Sequence, residues 1–172
     1  MEHKKPFILY AEQVRKQDFR DIPWQINMDG TASGMNSFYS AHWVAPKEPE
    51  TEEPGKRKVG HPPHMHKENE IIMLIGADYE NPYDLGGTVE FCFGENMEKY
   101  VFDCSCTIMI PAETPHGFFH MKEVHRPFLF VSVQEGSPRT EKFLWEYLSK
   151  EEMESIEHPE KWIDRGFEET EN

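Results

Sequence analysis

Cysteine is scarce in this chain. Cys92, Cys104 and Cys106 are its only three, an odd set without a C-x-x-C pair, which excludes a disulfide framework and a cysteine-built zinc site. Reduced, mostly buried thiols are the expectation. Cys104 and Cys106 share strand parity with Ile108 and Ile110, so both are expected to pack as small hydrophobes on the face those isoleucines occupy. Long apolar runs are missing too. The opening MEHKKPFILYAEQVRKQ turns charged after Tyr10, too soon for a signal-peptide core or a bilayer span, so a cytoplasmic protein with no membrane partner is expected. Positive charge is in deficit: 18 Lys and Arg face 32 Asp and Glu, a net −14, and a surface of that sign repels phosphate backbones. The one basic cluster, Lys56-Arg57-Lys58, follows the acidic stretch from Glu48 to Glu53 and is offset by it. Nucleic acid is excluded as a partner on these grounds. No internal repeat is visible, which excludes solenoids, propellers and a tandem two-barrel protein.

What remains is one domain with extensions. A length of 172 residues suits a single core, and 37% hydrophobic with 13% aromatic residues is enough to build it, while 29% charged residues call for long solvated loops or tails. We divide the chain into an N-terminal extension with strands (1–35), a barrel (36–138) and a helical C-terminal tail (139–172). Met28-Asp29-Gly30 and Ala32-Ser33-Gly34 read as turns, residues 36–44 as a strand, and 47–58 as a charged loop. Short strands are then expected over 70–75, 88–93, 98–102, 107–110, 116–121 and 128–133. Asn81-Pro82, Gly86-Gly87, Gly94-Glu95-Asn96, Pro111 and Pro115 punctuate them, and this spacing predicts an all-β sandwich or barrel. In the tail, Ser149-x-x-Glu152 has the form of a capping box, and His158-Pro159 with 160–165 and Gly166 predicts a second short helix. Trp145, Leu148, Ile156, Trp162 and Ile163 supply a face that covers the barrel or a neighbouring subunit.

The segment G-H-P-P-H-M-H-K-E-N-E spans residues 60–70. His64 and His66 point to the same face of a strand, since side chains alternate. Glu70 shares their parity, and joins them either along an extended chain or through a tight turn over 67–69. His116 follows I-P-A-E-T-P at the start of another strand and supplies a fourth ligand. Three imidazoles and a carboxylate suit Fe(II), Mn(II), Ni(II), Co(II) or Zn(II) and leave positions open for water, substrate or dioxygen.

The pattern H-x-H-x3-E-x5-G, here His64, His66, Glu70 and Gly76, resembles the first motif of the cupin superfamily. Its second motif resembles Pro111-x3-Pro115-His116-Gly117-Phe118. The resemblance covers roughly residues 36–134. It implies a double-stranded β-helix, or jelly-roll, barrel that binds one divalent metal per chain inside it through His64, His66, Glu70 and His116. The leading glycine of the first motif falls at Lys58, two glycines of the second fall at Ser105 and Glu113, and its terminal Asn falls at His120. These departures touch turns and a non-ligand pocket position.

His120 shares parity with His116 and, with Glu113, is a candidate for proton transfer. His61 and His125 read as exposed loop residues. Met65, Met73, Met109, Phe118 and Phe128 either line an apolar pocket or form plain core. Arg126 and Lys122 are the basic residues near the expected mouth, solvated unless the substrate is anionic. The leading expectation is an Fe(II) dioxygenase-like enzyme acting on a small organic molecule, with iron first among the metals. An isomerase or lyase of sugars or keto acids using Mn, Ni or Zn is the alternative. A non-catalytic metal-holding binding or sensor module is the third reading, and the lack of a DNA-binding segment weakens its transcription-factor version. A homodimer is expected, because the N-terminal strands and the tail exceed what one small barrel needs and barrel edges are commonly covered by a partner.

Overall fold

The computed structural model describes residues 25–29, 34–49 and 59–167. Most of the expected N-terminal extension and of the charged loop therefore lies outside the described residues. Ten strands follow in order: β1 (Gln25–Asp29), β2 (Phe38–Val44), β3 (His64–Met65), β4 (Glu70–Gly76), β5 (Asp84–Phe93), β6 (Glu98–Cys104), β7 (Cys106–Ile110), β8 (His116–Val124), β9 (Phe128–Gln134) and β10 (Lys142–Phe143). They form two antiparallel five-stranded sheets, β1-β2-β9-β4-β7 (sheet A) and β10-β3-β8-β5-β6 (sheet B). Each sheet is hydrogen-bonded within itself, so the expected barrel is a jelly-roll sandwich of two facing sheets rather than one closed ladder.

Alternation explains how the strands seat. In β4 the residues Glu70, Ile72 and Leu74 are buried between the sheets while Ile71, Met73 and Ile75 face outward. One end of the sandwich is filled by Ile72, Leu74, Leu85, Val89, Ile110 and Phe128. Each such side chain contributes about 1.5–3 kcal/mol of burial free energy. At the other end polar side chains on the same inward positions surround a cavity. The hairpin between β5 and β6 turns at Gly94, whose φ of 76° is the left-handed region that glycine enters without cost.

The C-terminal segment covers the outward face of sheet B. Val59, Cys92, Phe118, Phe143, Ile156 and Trp162 form a second apolar cluster there. Helix α1 (Lys150–Ser155) begins with the expected capping box, the Ser149 hydroxyl accepting from the Glu152 amide and the Glu152 carboxylate accepting from the Ser149 amide. The second expected helix is only a single 3-10 turn, Pro159–Lys161. Beyond it the chain runs extended, and Arg165 exchanges backbone hydrogen bonds with Glu141, so Ile163 projects outward and is 59% exposed. The cysteines also differ from expectation. Cys92 is buried, Cys106 is half-buried and Cys104 is exposed, the last because it ends β6, an edge strand exposed along almost its whole length. Among the described residues no helix is long and apolar enough to cross a membrane.

Candidate metal centre

The ligand segment crosses from one sheet to the other. β3, at His64 and Met65, is held between β8 and β10, with His64 opposite His116 on one side and Phe143 on the other. Pro62 and Pro63 are buried just before it, and the Pro63 carbonyl accepts the Leu144 amide at 2.8 Å. Gly117 makes this approach possible. A Cβ there would lie 2.7 Å from Pro63 Cα. After His66 the chain bends at Lys67 and Glu68 and enters sheet A at Glu70, so the tight-turn alternative describes how the carboxylate joins the imidazoles. Asn69 fixes that bend: its carbonyl Oδ1 accepts the Ala112 amide at 2.9 Å, and its Nδ2 donates to Glu135 at 2.8 Å.

His64, His66, Glu70 and His116 are all buried, with one ligand atom from each lying within 4.8 Å of the others. Each imidazole is oriented from behind by a backbone carbonyl. Nδ1–H donates to Pro62 O at 2.8 Å from His64, to Thr140 O at 2.5 Å from His66, and to Thr114 O at 2.8 Å from His116. A carbonyl only accepts, so these bonds put the proton on Nδ1 and leave a lone pair on each Nε2. Glu70 Oε2 then lies 3.4 Å from His66 Nε2 and 3.2 Å from His116 Nε2, which sets acceptor against acceptor unless a cation stands among them. His116 Nε2 is buried without a hydrogen-bond partner. The donor set therefore fits a divalent metal.

Electrostatics reinforce that fit. Burial, followed by the neighbouring His116, His61 and His66, pushes the His64 imidazole well below its ordinary value and keeps it neutral. Burial raises the Glu70 carboxyl, and the His116 and His66 rings hold it well below the usual carboxylate range only where they present a proton or positive charge to it; with their Nε2 lone pairs turned inward, a cation among the ligands would take that part. Neutral imidazole and ionised carboxylate are the ligating forms. Ser132 Oγ donates to Glu70 Oε1 at 2.5 Å and fixes the carboxylate.

The cluster sits in the wall of a cavity of about 300 Å³, lined by His64, Glu70 and His116. Its apolar wall is Phe38, Ile72, Phe91, Phe119, Met121 and Phe130. None of the five residues expected either to line an apolar pocket or to be core reaches it: Phe128 is core, Phe118 belongs to the cluster under the tail, Met65 is half-buried, and Met73 and Met109 lie on the outward positions of sheet A. His120 is buried and lines the cavity. Simple parity from His116 does not place it, because Gly117 and Phe118 have φ of 150° and 53° and interrupt the pleat of β8. Glu113 is exposed on a turn with φ of 60°, outside the cavity wall. Its amide, not its carboxylate, serves the site, donating to His66 O at 2.7 Å.

Other positions correct the sequence reading. His125 is exposed as expected, but His61 is half-buried and lines the cavity. His61 Nδ1 lies 3.1 Å from His64 Nδ1, and its ring meets that of Trp162 edge-on at 4.6 Å. Arg126 is engaged by Asp84 and Asp78, and Lys122 by Glu90. The basic residues in the cavity wall are instead Lys47 and Arg139, the latter paired with buried Glu141 at 2.5 Å. Gln134 was not foreseen either. It is fully buried, with Nε2 3.1 Å from His66 Nε2 and Oε1 unpartnered. Its signal was present in β9, where Ser132 and Gln134 occupy the inward parity of an otherwise apolar strand.

No family model matches the sequence, and none of the curated proteins matches it. Among solved structures, the polyketide cyclase RemF from Streptomyces resistomycificus superposes with a TM-score of 0.51 at 16% identity, over 87% of this chain and 92% of its own. A Klebsiella pneumoniae protein with a double-stranded β-helix domain gives 0.46 at 12% identity, over 81% and 97% of the two chains. The DMSP lyase DddQ from Ruegeria pomeroyi gives 0.45 at 16%, over 83% and 62%. The likeness to RemF is one of fold.

Proposed function

We propose that this chain, which has the cupin fold, is a metal-dependent enzyme acting on a small organic molecule, of the Fe(II) dioxygenase type. One observation carries this reading. The Nε2 lone pairs of His64 and His116 and the Glu70 carboxylate converge from the wall of a cavity, with buried His66 completing the cluster, so a metal held there would have ligands on the protein side and open space on the cavity side. Nitrogen and oxygen donors in that proportion suit Fe(II), with Mn, Ni, Co and Zn as competitors set by availability. When bound, the metal supplies a Lewis-acid centre able to hold an oxygen donor of the substrate, and iron adds one-electron chemistry with dioxygen.

The chain's own residues do the rest. Phe38, Phe91, Phe119 and Phe130 enclose the organic body of a substrate and exclude water. Ser132 keeps the Glu70 carboxylate oriented, and the carbonyls of Pro62, Thr114 and Thr140 keep the three imidazoles aimed. His120, buried on the cavity wall, is the group assigned to hold or move a proton at the substrate.

Metal analysis by mass spectrometry of the purified protein is expected to give about one iron per chain, lost in His64→Ala and in His116→Ala. Retention of metal in the His66→Ala plus His116→Ala variant would overturn the ligand assignment. Oxygen uptake by the Fe(II)-loaded protein, screened over small aromatic and keto-acid substrates, tests the reaction type. Turnover without oxygen uptake would replace the dioxygenase by an isomerase or lyase. A tetrahedral Co(II) spectrum unmoved by azide would point to a closed, non-catalytic centre.

A further inference from the structure

Gln134 ends β9 directly opposite Glu70 on the neighbouring strand β4, so the two side chains rise from the same face of sheet A toward the ligand cluster. It is fully buried. A leucine would fill the same space without burying a polar group, so the amide calls for an explanation.

Its hydrogen bonding holds a conflict. Nε2 lies 3.1 Å from His66 Nε2, while Oε1 is buried without a hydrogen-bond partner. The Nδ1 proton of His66 is committed to Thr140 O, so Nε2 of that ring offers a single lone pair and nothing to donate. In this arrangement an amide N–H takes it. With a metal on His66 the lone pair belongs to the metal, and the same N–H would aim its positive end at a cation. The two cannot coexist. A half-turn about the last side-chain bond exchanges the ends of the amide without moving any other atom, and it turns the oxygen inward.

Spacing shows what that oxygen can reach. With bonds of about 2.1 Å, two donors at right angles around one ion lie about 3.0 Å apart, and two at the tetrahedral angle about 3.4 Å. Glu70 Oε2 keeps 3.2 Å from His116 Nε2 and 3.4 Å from His66 Nε2. The inward end of the Gln134 amide, at 3.1 Å from His66 Nε2, stands at the same separation. The chemistry agrees, since an amide carbonyl is a neutral oxygen donor and adds a ligand without a second negative charge beside Glu70.

We infer that Gln134 is a fifth protein ligand of the metal, bound through Oε1. This rests on the reading of His64, His66, Glu70 and His116 as ligands. It makes the set three nitrogens and two oxygens and leaves one position of an octahedron for solvent or substrate.

The test titrates Co(II) alone into the metal-free full chain, with affinity read by chelator competition and coordination by visible absorption. Gln134→Leu is expected to weaken Co(II) binding at least about tenfold. It is also expected to raise the visible absorption, because the apolar side chain leaves no room for water in place of the lost ligand. Affinity that is unchanged or tighter overturns the inference, since removing an amide that only competes for the His66 lone pair would set that lone pair free. Weaker binding with the wild-type spectrum overturns it too, for Gln134 would then position the cluster without touching the ion. Should Gln134→Leu fail to fold, Gln134→Asn keeps the amide but withdraws it by one methylene. The same loss of affinity is expected there, and wild-type or tighter binding overturns the inference. Failure of the ligand set itself looks different: Co(II) binding that survives His66→Ala plus His116→Ala removes the cluster, and the fifth ligand with it.

Discussion

The outward face of sheet B is covered by the chain's own tail, through Phe143, Ile156 and Trp162, whereas the outward face of sheet A leaves Trp43, Ile75 and Met109 exposed. Both faces are apolar, and the difference is what each cover is tied to. The segment over sheet B also supplies Thr140 O to His66 and pairs Phe143 with His64, so that cover and the ligand cluster form one mechanical unit. Sheet A's outward face touches no ligand. Disturbing sheet B's cover is therefore expected to reach the metal, and disturbing sheet A's outward face to leave metal content unchanged.

The comparison breaks most sharply at Gly117, where β8 and the Pro62-Pro63 segment meet. A Cβ would press against Pro63 backbone atoms at 2.7 Å, and backbone cannot yield as a side-chain tip does. Gly117→Ala is expected to destabilise by about 3 kcal/mol and to lower metal content, both readable by denaturation and metal analysis. Full stability with full metal would show that the segment moves freely. A paired test follows at the tryptophans. Trp162→Ala removes a buried ring and is expected to cost about 3 kcal/mol with loss of metal affinity. Trp43→Ala, at an exposed ring on sheet A's outward face, is expected to change stability by less than about 0.5 kcal/mol. Equal effects from the two would erase the distinction between the faces.

Acid provides a graded version. The native metal-free His64 titrates well below its ordinary value because of burial and then His116, His61 and His66, so the unfolded chain binds the proton first. Its contribution is fully present above about pH 6.5 and is lost below it, at up to about 1.4 kcal/mol per pH unit. Thermal unfolding of the metal-free protein between pH 8 and pH 5 checks this. A Tm that is flat below 6.5 would contradict a neutral buried His64. A small effect of the opposite sign is expected at Glu113, exposed with φ of 60°. Glu113→Gly is expected to stabilise by about 0.5–1 kcal/mol without altering metal content, since the amide to His66 O remains.

Glu113 also shows how much was legible. The cupin resemblance placed a glycine of the second motif at that position, and the backbone there is left-handed, so the motif reported a conformation even where the residue had changed. The strands from Glu70 to Val133 and the capping box at Ser149 were readable because their signals are local: parity, turn residues, a four-residue cap. Local signals failed where the chain left its pleat. Cys104 is exposed because β6 is an edge strand, the Gly117-Phe118 irregularity interrupts β8 before His120, so that parity is not what brings His120 to the cavity, and the two-residue strands β3 and β10 are too short to show a period.

The sequence by itself determined the ligand types, their order and the inward aim of His64 and His66, because spacing within a strand sets which side chains share a face. Only the tertiary structure decided what surrounds them. His66 is oriented by a carbonyl 74 positions away and Glu70 by a hydroxyl 62 away. Lys47, His61 and Arg139 reach the cavity wall through sheet pairings and packing that no local pattern encodes. Ligand chemistry is written in neighbouring residues, whereas the shape, charge and orientation of a site arise where distant segments meet.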